Sequence, residues 1–234
     1  MRVSVIIPAL NEEKNIEATL CSIKGQDYKG EVELIVADGK STDKTVAIAK
    51  KYGAKVVVEP TRTIAAGRQA GAKIAKGDIF LYTDADTLVD PQWIRRMVDA
   101  FSDPKVGVAY GVIQPRDASW IEFHLIGGSS TLAAWSLNLV GLDYVSGNNM
   151  AIRSSVFKKI GGFNISLKTG EDTDIVQRAR KVSKARFVKD AVISYSMRRI
   201  RGWGYPKYLC FHTKNFFMST LFHKPAMNYD AVRK

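Results

Sequence analysis

The stretch IFLYTDADTLVDP, from Ile79 to Pro91, decides how this chain is read. Ile79, Phe80, Leu81 and Tyr82 form a short continuous apolar run, as expected of a strand buried on both faces. Charge then arrives abruptly, in Asp84 and Asp86 with only Ala85 between them. Two carboxylates so close repel each other and lose hydration if buried. A divalent cation relieves both costs, since Mg2+ is usually held by one or two carboxylates together with substrate phosphates. The alternative is a solvated turn at the entrance to a helix. Asp90 and Pro91 already supply the cap and first residue of that helix, so the pair at 84 and 86 needs a reason of its own.

Outward from this window, strand and helix patterns alternate. Val3 to Pro8 is an apolar run, followed by Asn11 as a helix cap, Glu12 and Glu13 in the first turn, and Ile16, Leu20 and Ile23 at helical spacing. Val32–Ala37 reads as a strand, Asp43–Tyr52 as a helix, Lys55–Glu59 as a strand and Thr63–Lys76 as a helix of small residues. After Ile79–Tyr82, a helix opened by Asp90 carries Ile94, Met97, Val98 and Phe101 on one face, and Val106–Ile113 is a further strand. The pattern predicts an α/β fold with a Rossmann-like, mostly parallel central sheet flanked by helices, in a single compact domain over 1–234. Residues 1–115 would form a nucleotide-binding half, 116–200 an acceptor-side half, and 201–234 a basic aromatic tail. In the second half, YVSGNNMAIRSSVF reads as strand, turn and helix, Gly161–Asn164 as a loop, GEDTDIVQRARKV as a helix, Ala185–Ser196 as a strand and Gly202–Leu221 as a helix. Leu125–Leu142 carries no formal charge, but its serines, Thr131, Asn138 and three glycines make a poor membrane span. It reads as a buried or interfacial helix.

The net charge is +12, and the excess is uneven. From Tyr195 to Lys234 there are eight Lys or Arg against Asp230 alone, so this tail holds +7 of the total. Interleaved with Trp203, Tyr205, Tyr208, Phe211, Phe216, Phe217 and Phe222, that charge suits an anionic membrane surface, a phosphorylated substrate or nucleic acid; the alternative is a solvated helix face with a core-facing aromatic stripe. The two cysteines, Cys21 and Cys210, lack metal-ligand spacing; Cys21 sits among apolar helix positions and reads as a reduced core thiol. The first residues show no basic segment leading an apolar one, so no secretory leader is read. A cytoplasmic setting, peripheral at the inner face of a membrane, is expected.

In open α/β sheets, ligands bind beyond the carboxyl ends of the strands. The first strand ends at Pro8, Ala9, Leu10, Asn11 and Glu12, the second at Asp38, and the fourth at Asp84, Ala85 and Asp86. Three acidic sites should therefore meet on one edge. The GxGxxG and GxxxxGK[ST] patterns are absent, which disfavours a nicotinamide dehydrogenase and a P-loop nucleotidase.

Five segments now carry a resemblance: VSVIIPALNEEKNI, LIVADGKSTDKT, GRQAGAKIAKGDIFLYTDAD, SGNNMAIRSSVFKKIGGF and GEDTDIVQRARK, in this order over roughly residues 2–200. Together they resemble a family 2 glycosyltransferase of the GT-A fold. The resemblance implies that Pro8, Ala9, Leu10 and Glu12 line the nucleotide pocket and that Asp38 bonds the base. It implies that Arg68 reaches the base or phosphates, and that Asp84-Ala85-Asp86 is a DxD motif. Asp86, with Asp84 beside it, would ligate Mg2+ or Mn2+ on a nucleotide-diphosphate sugar, a UDP- or GDP-sugar. Asp172 in GEDTD would be the base of an inverting transfer, with Glu171 holding the acceptor. Two departures stand out: Ala37 replaces one acid of the usual DDGS, and MRRIRGWGY stands where processive members carry QxxRW. The second favours transfer of a single sugar. A metal-dependent inverting transferase with an acceptor that is lipid-linked (a polyprenyl phosphate or lipid-linked glycan) is thus expected, with no nucleic-acid partner. The alternatives are a sugar-1-phosphate nucleotidyltransferase, disfavoured because PALNEEKN has no glycine, and a non-catalytic nucleic-acid or membrane-binding protein.

Overall fold

The alternation of apolar residues along the first strands sets up a two-sided sheet. In the computed structural model, which describes residues 1–139, 142–222 and 224–226, β1 (Val3–Ala9), β2 (Val32–Asp38), β3 (Lys55–Val58) and β4 (Ile79–Tyr82) lie parallel in the order β3-β2-β1-β4. Val5, Ile7, Leu34, Val36, Ile79 and Leu81 face one layer, with Ile16, Leu20 and Ile23 of α1 (Ile16–Lys24) and Trp93, Ile94 and Met97 of α4 (Trp93–Asp99). Ile6, Ile35, Phe80 and Tyr82 face the other, with Phe157, Phe163, Ile175 and Val176. The period of two thus feeds two cores from one sheet. On this second side lies α3 (Ile64–Ile74), whose small residues let it lie close on β1: a Cβ at Gly71 would come within 2.4 Å of Ile6 Cγ2. The remaining helix of this half is α2 (Thr45–Lys51).

The second half continues the same sheet. Strand β7 (Met150–Arg153) pairs antiparallel with β4 and with β6 (Val106–Arg116), and β8 (Lys184–Ser196) runs parallel to β6. The sheet closes with β5 (Thr87–Val89), a three-residue strand that the sequence reading passed over. It pairs antiparallel with β8, Thr87 opposite Tyr195. That register carries Asp86, one residue before Thr87, to the end of β8, where Arg198 follows. Asn149 ties these strands together from inside the core. Its amide donates to the carbonyls of Val112 (2.8 Å) and Ala191 (2.9 Å), and its oxygen accepts from Trp93 Nε1 at 2.8 Å. Helices α7 (Ser154–Lys159) and α8 (Glu171–Arg180) follow β7.

Several sequence expectations are corrected. Helix α1 starts at Ile16; Asn11 is not its cap but takes a left-handed conformation (φ 55°) and accepts from Thr42 N at 2.8 Å, pinning the loop after β2. Glu12 and Glu13 consequently precede the helix. Helix α4 starts at Trp93, and Asp90 lies before its cap residue Gln92, accepting from Gln92 N in a local turn. Cys21 is exposed: α1 turns Leu20 and Ile23 inward and leaves Cys21 outside, its thiol donating to Tyr52 Oη at 3.1 Å. The uncharged stretch is not one helix: after a short α5 (Trp120–Glu122) it begins within a π-helical turn over Phe123–Gly128 and continues as α6 (Ser129–Leu139); residues 140 and 141 lie outside the described residues. The C-terminal helix is broken at Gly204 (φ 79°) into α9 (Arg198–Trp203) and α10 (Tyr205–Phe222), because a left-handed residue cannot continue a right-handed helix.

Candidate active site

The ends of β1, β2 and β4, the start of α8, the segment after β8 and one face of α10 enclose a cleft of about 530 Å³. Pro8, Ala9, Leu10 and Glu12 line it from β1, Arg68 from α3, and Asp84, Ala85 and Asp86 from the turn after β4. Glu171 and Asp172 line it from α8. Asp38 departs from expectation. Its neighbours Ala37 and Gly39 line the cleft, while the Asp38 carboxylate is 2% exposed and accepts from Ser41 N at 3.0 Å. Its own turn uses one carboxylate oxygen, Oδ2, while Oδ1 is buried without a hydrogen-bond partner among the described residues.

Arg68 is the hub. It is 3% exposed and reaches Glu171 Oε1 at 2.7 Å and Asp84 Oδ1 at 3.1 Å. The arginine thereby joins the aspartate turn to the GED segment. Gly147 makes room for it, since a Cβ there would lie 2.1 Å from Arg68 Nη1. The Gly147 N–H donates to Asp172 Oδ2 at 2.9 Å, and the other Asp172 oxygen accepts from Thr173 N at 2.8 Å. Helix α8 opens after Gly170, which is left-handed (φ 68°), and puts both acids in its first turn. Burial raises the Glu171 carboxyl, the Asp172 charge raises it further, and Arg68 holds it down. Burial also raises Asp172, against Arg68 and the backbone N–H groups.

The second ion cluster centres on Arg198. Its guanidinium contacts both Glu12 oxygens, with Nη1 to Oε2 at 3.0 Å, and lies 3.1 Å from Asp86 Oδ2. Burial, then the neighbouring Asp84, pushes the Asp86 carboxyl up to about 6, with Arg198 opposing. Among the described residues, no three His, Cys, Asp or Glu side chains form a ready-made metal cage.

Sequence reasoning missed the cleft's far wall. Tyr208, Phe211, His212, Asn215 and Phe216 of α10 line it, at the three-and-four spacing of one helix face. That period was legible within the aromatic tail. Burial, helped by Arg199, lowers His212 to about 4, so it is neutral at pH 7. Gly147 was hidden inside SGNN, where nothing in the sequence points to an anchoring N–H.

With this geometry in view, the model of the family described as glycosyl transferase family 2 matches residues 4–161. The chain belongs to that family. Among family 2 relatives, glycosyltransferase AglE of Haloferax volcanii is 28% identical over 192 residues, spanning 76% of this chain and 60% of that protein. The chain spans about a third to three fifths of the length of several curated relatives it matches. Among solved structures, residues 1–349 of Staphylococcus aureus TarS superpose with a TM-score of 0.67 at 21% identity, over 96% of this chain and 74% of that one. A mannosyltransferase from Pyrobaculum calidifontis, in complex with GDP-Man and Mn2+, gives 0.68 at 23% identity, over 94% and 68%. These likenesses establish the GT-A fold for this family 2 chain.

Proposed function

We propose that this chain is a glycosyltransferase that moves a single sugar from a nucleotide-diphosphate sugar to an acceptor with inversion. The observation that carries this is the cleft in which Asp84-Ala85-Asp86 and Glu171-Asp172 face a common space, joined through Arg68. The nucleotide lies along Pro8–Leu10 and Gly39, and the sugar lies towards α8. UDP- and GDP-sugars both fit this reading, since the fold neighbours include one with UDP-GlcNAc and one with GDP-Man.

A divalent ion fits the aspartate turn. Burial, then the neighbouring Asp84, raises Asp86, and the cationic Arg198 lies 3.1 Å from it. Asp86, with Asp84 beside it, would hold Mg2+ or Mn2+, and such an ion supplies Lewis-acid stabilisation to the leaving diphosphate. Arg198 brings fixed positive charge to the same place, and guanidinium suits phosphate. Asp172 is placed to take the acceptor proton, its oxygens oriented by the N–H groups of Gly147 and Thr173. Glu171, held by Arg68, orients the acceptor. When the acceptor hydroxyl attacks the anomeric carbon from the face opposite the leaving group, its proton passes to Asp172 and the nucleoside diphosphate departs.

The second reading of the acceptor, an ionised lipid phosphate, needs no base. Turnover of Asp172→Asn separates the two. A hydroxyl acceptor predicts a loss of about 10²–10⁴-fold. A rate near that of the wild type would sink the base assignment and leave the phosphate acceptor.

A further inference from the structure

The cleft uses only one face of α10. The opposite face carries exposed Phe217 (48%) and Leu221, with Leu209 and Phe222 also exposed at the margins of the cleft stripe. A second exposed apolar group lies on the segment from α5 to α6, where Trp120 is 76% and Trp135 54% exposed, with Ile121 and Leu132 also outward. The two elements meet on Glu122 of α5, which accepts from Tyr205 Oη at the start of α10 and lies 3.7 Å from Arg201 Nη2 of α9. Farther along α10, Phe216 packs on Tyr144 with ring centroids 5.3 Å apart.

Charge distinguishes what this face meets. Between Arg198 and Ala226 there are six Lys or Arg and no Asp or Glu. Lys207 and Lys214 are exposed on α10 itself, and Lys207 Nζ lies 5.3 Å from the Trp203 ring. From Trp120 to Leu142 the sole formal charge is Glu122, which is engaged by Tyr205 and Arg201. Arg198 and Arg201 are engaged by Glu12, Asp86 and Glu122, but exposed tryptophans on one element and exposed lysines on the other are the composition of a surface that lies in a bilayer interface, apolar side chains in the acyl boundary and ammonium groups at anionic headgroups. No described helix is long and apolar enough to cross a membrane.

We propose that the α5–α6 segment and the outer face of α10 together dock the protein on an anionic lipid bilayer. Because the inner face of α10 lines the cleft, docking would set the catalytic cleft against the membrane surface, within reach of a lipid-borne acceptor. This deepens the proposed transferase function by placing its acceptor on a membrane; only what the docking serves rests on that reading, since vesicle binding is measured without any sugar transfer.

The test is flotation of the full chain with vesicles of phosphatidylcholine alone and with one quarter phosphatidylglycerol, at about 0.1 M and about 1 M salt, where the screening length falls from about 10 Å to about 3 Å. The expected result is binding to the anionic vesicles that is weakened by salt and at least about tenfold weaker in Trp120→Ser/Trp135→Ser, which removes two large interfacial side chains. Lys207→Glu/Lys214→Glu should lose the preference for anionic lipid while folding normally, which keeps the test decisive if the tryptophan variant is unstable. A nucleotide response retained by both variants separates failure of docking from failure of the proposed transferase site. Absence of vesicle binding, equal binding by both variants, or equal binding to neutral vesicles would overturn the proposal. So would a dimer in light scattering that the tryptophan substitutions split, which would give this face to a second copy.

Discussion

Replacing Arg68 by methionine removes the guanidinium that joins the two acidic halves of the cleft. Its guanidinium is 3% exposed and pairs with Glu171 at 2.7 Å and Asp84 at 3.1 Å. Methionine fills similar volume, so the effect is that of stranding buried carboxylates rather than opening a cavity. Removing one partner of a buried pair costs about 3–5 kcal/mol. For a chain of this size that is roughly 6–20 °C in Tm, at about 2–4 °C per kcal/mol. The pH dependence gives a second handle. Glu171 is already raised by burial and by Asp172. A carboxyl raised in the native state binds more protons there than in the unfolded chain, so its contribution to stability falls as pH rises through the native value. Without Arg68 that value rises further, and a proton becomes the neutralising group. The loss in Arg68→Met should therefore be larger at pH 8 than at pH 5, and Arg68→Met/Glu171→Gln should recover part of it. Thermal unfolding followed by circular dichroism at both pH values measures this. A loss below about 1 kcal/mol at pH 8, or an equal loss at both pH values, would refute the reasoning.

Two further perturbations test the frame around the site. Asn149→Leu leaves Trp93 Nε1 and the carbonyls of Val112 and Ala191 without their partner, so chemical denaturation should show a loss of about 3–5 kcal/mol with the m-value unchanged. Glu33 has the opposite pH sign to Glu171: burial pushes it up, but hydrogen bonds from Lys55, Ser4 and the Lys76 N–H prevail and hold it at about 2. The stability it supplies is complete above its ordinary value near 4.5 and is lost as pH falls towards 2, by up to about 3 kcal/mol. An acid titration of stability in Glu33→Gln should be flatter over that window.

Much of the fold was legible because its determinants are local. The apolar alternation of Val5, Ile6 and Ile7, repeated at Leu34, Ile35 and Val36, feeds the two cores directly. The turn after β4 was visible as charge following a buried strand, whereas the first turn of α8 stood out only within the ordered set of five segments, since acids at a helix start are ordinarily favoured by the helix dipole. What was not legible depends on distant pairing. Strand β5 has only Thr87, Leu88 and Val89, too few for a period, and is a strand because β8 offers its edge. Arg198 falls in the basic tail, read as facing phosphate or lipid, yet it sits on Glu12, 186 residues away, and on Asp86, which the β5–β8 register carries to it. Asp38 stood correctly at the end of β2, but sequence does not say that Ser41 N would claim its carboxylate. Cys21 looked internal from its neighbours' hydropathy, whereas the helix turns it away from the inward face of Leu20 and Ile23.

The central claim is that the cleft binds a nucleotide diphosphate through the aspartate turn. The most direct test is the thermal stability of the wild type and of Asp86→Ala with UDP, GDP, ADP and CMP, each with and without Mn2+. A ligand confined to the native state adds about 2.7 kcal/mol at a hundred times its dissociation constant, a shift of roughly 5–10 °C here. The account predicts such a shift for UDP or GDP, dependent on Mn2+ and lost in Asp86→Ala. No shift with any nucleotide, or an equal shift in Asp86→Ala, would contradict it.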